Sequence, residues 1–246
     1  MPAPGLTARF SKLLRILAVR SHRTALRKGA AAGVEHARVL QQISCRSVVD
    51  IGANRGQFAL VARACFPDAL IVSFEPLPGP ADIFARVVAG DGRTRLVRSA
   101  VGPVSGTATI HVSRRDDSSS LLPITKAQDD LFPGTAEART DTIAVSRLAD
   151  HLAAGALPAP ALLKLDVQGF ELPALADCEE RLGEFEWICA ECSFSELYEG
   201  QALADEVVAW LRERNFRLAG VYNMSYDGRG RAIQADFLFR AANADK

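Results

Sequence analysis

The sequence predicts an α/β domain: a mostly parallel sheet with helices on both faces. Three observations carry that expectation. From residue 47 onward, short apolar runs alternate with segments of helical spacing, the pattern of a parallel sheet covered on both sides. The first run ends in a glycine-containing turn, Asp50-Ile51-Gly52-Ala53-Asn54-Arg55-Gly56. Near the end, Asp227-Gly228 is a hairpin signal between two apolar runs, so the last two strands should be antiparallel neighbours.

The elements follow in order. Strands are expected at 47–51, 70–74, 94–98, 161–165, 185–192, 216–222 and 232–240, seven in the main sheet. Helices are expected at 58–66, 81–89, from Glu171, and at 202–214. Residues 105–112 alternate with period two and suit a strand of a small hairpin beside the main sheet. Residues 113–141 read as a long polar loop, which with 105–112 makes an insert at 105–141 within a domain of 43–246. Loops of that length are often functional, and this one is the expected lid and acceptor-recognition element.

Residues 1–42 read as a basic, amphipathic, helical arm. Its first 34 residues hold seven Lys and Arg and no acid, leaving 22 basic against 29 acidic residues in the rest of a chain whose net charge is zero. Phe10, Leu13, Leu14 and Leu17 share one helical face. That face either packs on the core and turns its charges to water, or attaches to an anionic membrane surface or a lipid-linked substrate. An Arg-rich, acid-poor arm also suits an organelle-targeting peptide.

The charge balance lacks the basic body of a nucleic-acid binder. The five cysteines show no disulfide framework, as expected of a reducing compartment. Cys189 and Cys192 lack the second pair a zinc site would need, and no spacing demands another metal. No apolar stretch reaches the roughly 20 residues of a membrane span. A cytoplasmic protein, in contact with a membrane at most peripherally, is expected; its oligomeric state is not written in the sequence.

Ligands of open parallel sheets bind beyond the carboxyl ends of the strands. The Asp-x-Gly-x-x-x-Gly spacing departs from the dinucleotide fingerprint, and the turn has no Lys-Ser/Thr pair to grip phosphate. S-adenosylmethionine carries no phosphate and fits such a cradle. Glu75 ends the second strand 19 residues after Gly56, where an acid can accept ribose hydroxyls. The candidate cofactor contacts are Asp50, Gly52, Asn54 and Gly56 in the turn and Phe58 on the helix behind it. Glu75 and Pro76 after the second strand, and Ala100 after the third, complete them.

Three blocks resemble the FkbM family of methyltransferases. They are Val49 to Phe58, Ser73 to Pro76, and Leu163 to Leu172 with its Lys-x-Asp-x-x-Gly-x-Glu core. Glu191-Cys192-Ser193 is similar to the family's late acidic strand, and Ser118 to Leu121 to its serine-containing loop. The likeness spans about residues 45–240. It implies a Rossmann-like class I fold, S-adenosylmethionine as methyl donor, and O-methylation of a small-molecule or glycan acceptor such as a sugar, glycolipid or polyketide-type metabolite. Gln168 departs from the family, which more often has an acid there.

Methyl transfer to a hydroxyl requires alignment and a proton acceptor. Asp166, at the end of the fourth strand, is a candidate base or polar anchor; the alternative is capping of the next helix. Glu171 suits the first turn of that helix. Glu191 is a second candidate base or a structural hydrogen-bond acceptor, and His111 a third candidate or a structural histidine. Competing readings are a non-catalytic S-adenosylmethionine-binding module, a nucleic-acid methyltransferase lacking its usual blocks, and an NAD oxidoreductase disfavoured by the turn.

Overall fold

A computed structural model describes residues 6–243, with side chains from Phe10 onward. The first five residues of the arm, the Arg9 side chain and the last three residues lie outside the described residues. The chain opens with α1 (Leu6–Ala18), α2 (Arg20–Arg27) and α3 (Ala37–Leu40). There follow β1 (Ser47–Ile51), α4 (Gln57–Cys65), β2 (Leu70–Phe74), α5 (Pro78–Val87) and β3 (Thr94–Val97). An insert carries β4 (Ala100–Val101), β5 (Gly106–Ser113), α6 (Lys126–Leu131) and β6 (Glu137–Ser146). The main sheet resumes with β7 (Ala161–Leu165), α7 (Glu171–Asp177), β8 (Trp187–Ser193), α8 (Ala204–Glu213), β9 (Phe216–Tyr226) and β10 (Ala232–Ala241).

Seven strands form the main sheet in the order β3-β2-β1-β7-β8-β10-β9, and β10 alone runs against its neighbours. This is the expected mostly parallel sheet with an antiparallel last strand. Because side chains alternate across a strand, neighbouring residues serve opposite layers. Val48 and Leu162 pack with Val39, Val61 and Phe84 beneath α3, α4 and α5. Val49 and Leu163 pack with Leu175, Val207 and Leu211 beneath α7 and α8.

The same alternation builds the polar end of the sheet. Asp50 lies two residues after Val48, and Lys164 two after Leu162, so both face the α4 layer. They are cross-strand partners, and Asp236 of β10 pairs with Glu191 of β8. A row of charged groups thus runs across four strands at the end where the glycine turn sits.

The insert differs from the expected polar loop. β5 pairs with a second strand, β6, and β4 completes a three-stranded sheet. Only Ile143 of β6 is buried, so that strand shows no alternating apolar pattern and reads as loop. In the arm, Ala30, Ala32, Val34, Val39 and Leu40 are buried, so the stretch just before β1 packs on the body.

Candidate active site

The order of the sheet reverses between β1 and β7, and the crevice beyond their carboxyl ends is where ligands bind in such folds. There the structure has a cavity of about 510 Å³, a size suited to a small ligand. Asp50, Gly52, Asn54, Phe58, Glu75, Pro76, Ala100, Asp166 and Glu191 all line it. Gly56 and His111 do not. Gly56 caps α4 with a positive φ and faces the Phe84 ring. His111 alternates with the cavity-lining Ile110 and turns the other way, its Nδ1 2.8 Å from Glu137.

Packing dictates the floor. Gly52 has φ 85°, and a Cβ there would stand 1.9 Å from the Asp166 carbonyl oxygen. The turns after β1 and β7 therefore touch backbone to backbone, which only glycine allows. Glu75 accepts the N–H groups of Asn54 at 2.8 Å and Leu77 at 2.7 Å, tying the first turn to the end of β2. Burial pushes Glu75 up to about 7, although both N–H groups pull the other way. Burial likewise pushes Asp50 up to about 6 against the opposing charge of Lys164.

The turn after β7 is held by Glu171, which accepts the N–H groups of Val167 and Gly169 at 3.1 and 3.2 Å. That leaves Asp166 free of capping. Its carboxylate lies 3.4 Å from Lys164 Nζ and accepts the Gln168 amide at 2.8 Å. Burial alone would lower Lys164, but Asp166, Asp236 and Glu191 more than offset it, and the ammonium stays charged. Gln168 donates to Glu191 as well, at 2.9 Å, and accepts the Tyr198 hydroxyl at 2.6 Å. Gln234 donates to the other Glu191 oxygen at 2.9 Å. Burial and the nearby Asp166 and Asp236 push Glu191 well above the usual carboxylate range. A neutral amide at 168 bridges two carboxylates that a third ionised acid would repel.

Two further residues enter from places the sequence did not single out. His36, in a one-turn helix before α3, lines the cavity. Its Nδ1 lies 3.2 Å from Asp236, which also accepts the Asn223 amide at 2.7 Å. Burial would raise Asp236, yet His36, Lys164 and Asn223 hold it down at about 2. The period-two pattern around Asp236 was available in the sequence, but its register opposite Glu191 was not.

The roof comes from the insert. Arg115 to Leu121, Gln128, Phe132 and Thr135 line the cavity. The roof is joined to the floor by Arg55–Asp116 at 2.6 Å and by the Tyr198 hydroxyl, whose proton goes to Gln168 and whose oxygen lies 3.1 Å from the Ser118 carbonyl. Seven carboxylates line the cavity against two lysines and one arginine. No cluster of side chains with metal-ligand geometry occurs among the described residues.

This strand order, with a cavity at the ends of β1 and β7, defines a Rossmann-like class I methyltransferase. The chain belongs to the FkbM methyltransferase family: the model of the methyltransferase FkbM domain matches residues 50–218, more than half of it. It is 29% identical over 160 residues to the 2-O-methyltransferase NoeI of Sinorhizobium fredii, covering 63% of this chain and 66% of that one. It is 28% identical over 204 residues to the 31-O-demethyl-FK506 methyltransferase FkbM of Streptomyces tacrolimicus, covering 74% and 76%. Among solved structures, the precorrin-6y C5,15-methyltransferase of Geobacter metallireducens is similar with a TM-score of 0.47 at 11% identity, covering 83% and 86%.

Proposed function

We propose that this methyltransferase uses S-adenosylmethionine to methylate a hydroxyl of a small-molecule or glycan acceptor. The observation that carries the donor is the acid-rich cavity at the sheet's switch point. A sulfonium nucleoside with an ammonium group complements an excess of carboxylates, whereas a dinucleotide's phosphates would be repelled by it. Asp50 and Glu75 sit where the polar parts of a nucleoside amino acid would be held. The relatives named as 2-O- and 31-O-acting enzymes support oxygen as the acceptor atom.

When bound, the donor supplies an electrophilic methyl group on a positively charged sulfur. Its transfer to an acceptor hydroxyl would leave S-adenosylhomocysteine and a proton that the chain must take up. The hydroxyl proton goes to a base of the chain. His36 is the base in this reading: imidazole commonly serves as proton acceptor at neutral pH, and Nδ1 faces the ionised Asp236. Asp166 and Glu191 are bridged by Gln168 and act as the polar anchor of the acceptor. The same acid excess disfavours a polyanionic acceptor.

Calorimetry with S-adenosylhomocysteine and with NAD tests the donor; binding of NAD and not of the sulfur ligand would overturn it. A labelled-methyl screen against glycolipids and hydroxylated metabolites then tests the acceptor. His36→Gln should lower kcat by about 10²–10⁴-fold, the usual contribution of base catalysis, while leaving S-adenosylhomocysteine affinity within about twofold. An unchanged kcat would take His36 out of this role.

A further inference from the structure

The helix α1 sits on the body through Ile16 and two basic side chains. Lys12 pairs with Glu35 at 3.0 Å, and the Arg15 guanidinium donates to the Val34 carbonyl. Ile16 is the one buried apolar side chain among the described ones of this helix. The apolar stripe faces away from the protein: Phe10, Leu13, Leu14 and Leu17 are 62%, 42%, 52% and 40% exposed. Among the described residues, ten large apolar side chains are exposed, and five of them fall in residues 10–19. Single exposed apolar residues are normal, but a contiguous patch marks an interaction surface.

Charge selects the occupant. The first 34 residues hold seven basic groups and no acid, and Arg20 and Arg27 of the next helix, α2, are exposed. A second copy of this chain would bring like charges against like. An anionic lipid surface takes both features: the apolar face enters the boundary between headgroups and acyl chains while Lys and Arg meet the headgroups. Basic residues near such a surface contribute about 1 kcal/mol each. Among the described residues no helix is long and apolar enough to cross a membrane, so the contact is peripheral.

We propose that α1 and α2 dock the protein on an anionic membrane surface. Position gives the docking a purpose. Lys12 of α1 and its partner Glu35 line the cavity beside His36, so the helix forms part of the rim. Docked there, the cavity lies at headgroup level. Resting on the O-methyl transfer reading above, its acceptor is then a hydroxyl carried by a membrane lipid or a lipid-linked glycan.

Co-sedimentation of the full chain with vesicles tests the docking without calling on any activity. Vesicles of phosphatidylcholine with about one third phosphatidylglycerol should bind it, and binding should fall steeply with salt because exposed charges are screened. Pure phosphatidylcholine should bind at least tenfold less. Phe10→Ser with Leu14→Ser, and separately Arg20→Gln with Arg27→Gln, should each weaken binding at least tenfold with the melting temperature unchanged, since all four side chains are exposed. Absence of binding to anionic vesicles, or equal binding by wild type and both variants, would overturn the proposal. So would a stable dimer in sedimentation that Phe10→Ser dissociates, because the face would then be a protein interface. Failure of donor calorimetry with intact vesicle binding would remove the acceptor assignment and leave the docking standing.

Discussion

The floor and the roof of the cavity are held by different kinds of contact. On the floor, backbone meets backbone at Gly52 and Asp166, and the Glu75 and Glu171 carboxylates each take two backbone N–H groups. On the roof, the ties to the floor are side-chain contacts at half-exposed positions such as Arg55–Asp116, with Tyr198 reaching the Ser118 carbonyl. Backbone ties leave little tolerance for substitution; surface ion pairs leave much. In the reading proposed above, the rigid floor serves the donor and the looser roof serves the acceptor.

The floor should break most severely at Gly52. Gly52→Ala sets a Cβ against the Asp166 carbonyl oxygen at 1.9 Å, in a backbone region that L-residues avoid. Relief requires separating β1 from β7, so a loss above about 4 kcal/mol is expected, in the range of exceptional substitutions. Urea unfolding measures it. A loss below about 1 kcal/mol would mean that the turns are not in contact.

Lys164→Met comes next. It removes the buried ammonium among Asp50, Asp166, Glu191 and Asp236 and leaves those that are ionised without their shared cation. Breaking a buried pair in this way costs about 3–5 kcal/mol. Lowering the pH should restore part of that loss in the variant, because protonating the carboxylates removes the repulsion. If the variant is equally destabilised at pH 5 and pH 8, repulsion among these groups is not the cause.

Much of the floor was legible because strand ends advertise themselves. An apolar run that stops at Asp50, Glu75 or Asp166 places an acid at the carboxyl edge of a parallel sheet, and Asp227-Gly228 announced the reversed last strand. His36 and Asp236 were hidden for different reasons. His36 lies in a one-turn helix with no periodicity, brought to the cavity as Val34 and Val39 enter the core. Asp236 gains meaning only from its pairing with Glu191, 45 positions earlier in the chain. His111 drew attention as a histidine on an alternating strand, but which face of β5 meets the cavity depends on how the small sheet docks. The roof was least legible: β6 is so exposed that its composition matches a loop.

The titration of the floor gives a smaller effect. Asp50 and Glu75 lie at about 6 and about 7 in the fold, above their ordinary values near 4. Between about pH 4 and pH 7 the folded protein therefore holds protons that the unfolded chain has released, and stability contributed by these groups falls as pH rises through that window. Asp236 works the other way: held at about 2, its contribution is complete above pH 4 and is lost only as pH falls toward 2. A cationic ligand favours the ionised carboxylates. The melting temperature of the free protein should therefore drop from pH 5 to pH 7.5, while the added stabilisation by S-adenosylmethionine grows over the same interval. A ligand-induced shift that shrinks as pH rises would remove these two acids from the donor site.

The smallest effect on stability belongs to the roof. Asp116→Asn removes the charge that meets Arg55 across the cavity mouth, where both side chains are about one third exposed. Exposed pairs contribute about 0–1 kcal/mol, so unfolding should barely change. Asp116 nevertheless lines the cavity between Arg115 and the serine segment Ser118 to Ser120. Its release alters the space over the floor and eases the charge felt by Glu75, but leaves the backbone contacts of Glu75 and Gly52 in place. The expected outcome is a raised KM for the acceptor with S-adenosylhomocysteine affinity held within about twofold, or about 0.4 kcal/mol. If donor affinity falls instead and acceptor KM stays, the roof belongs to the donor site, and the division between the two surfaces of the cavity is wrong.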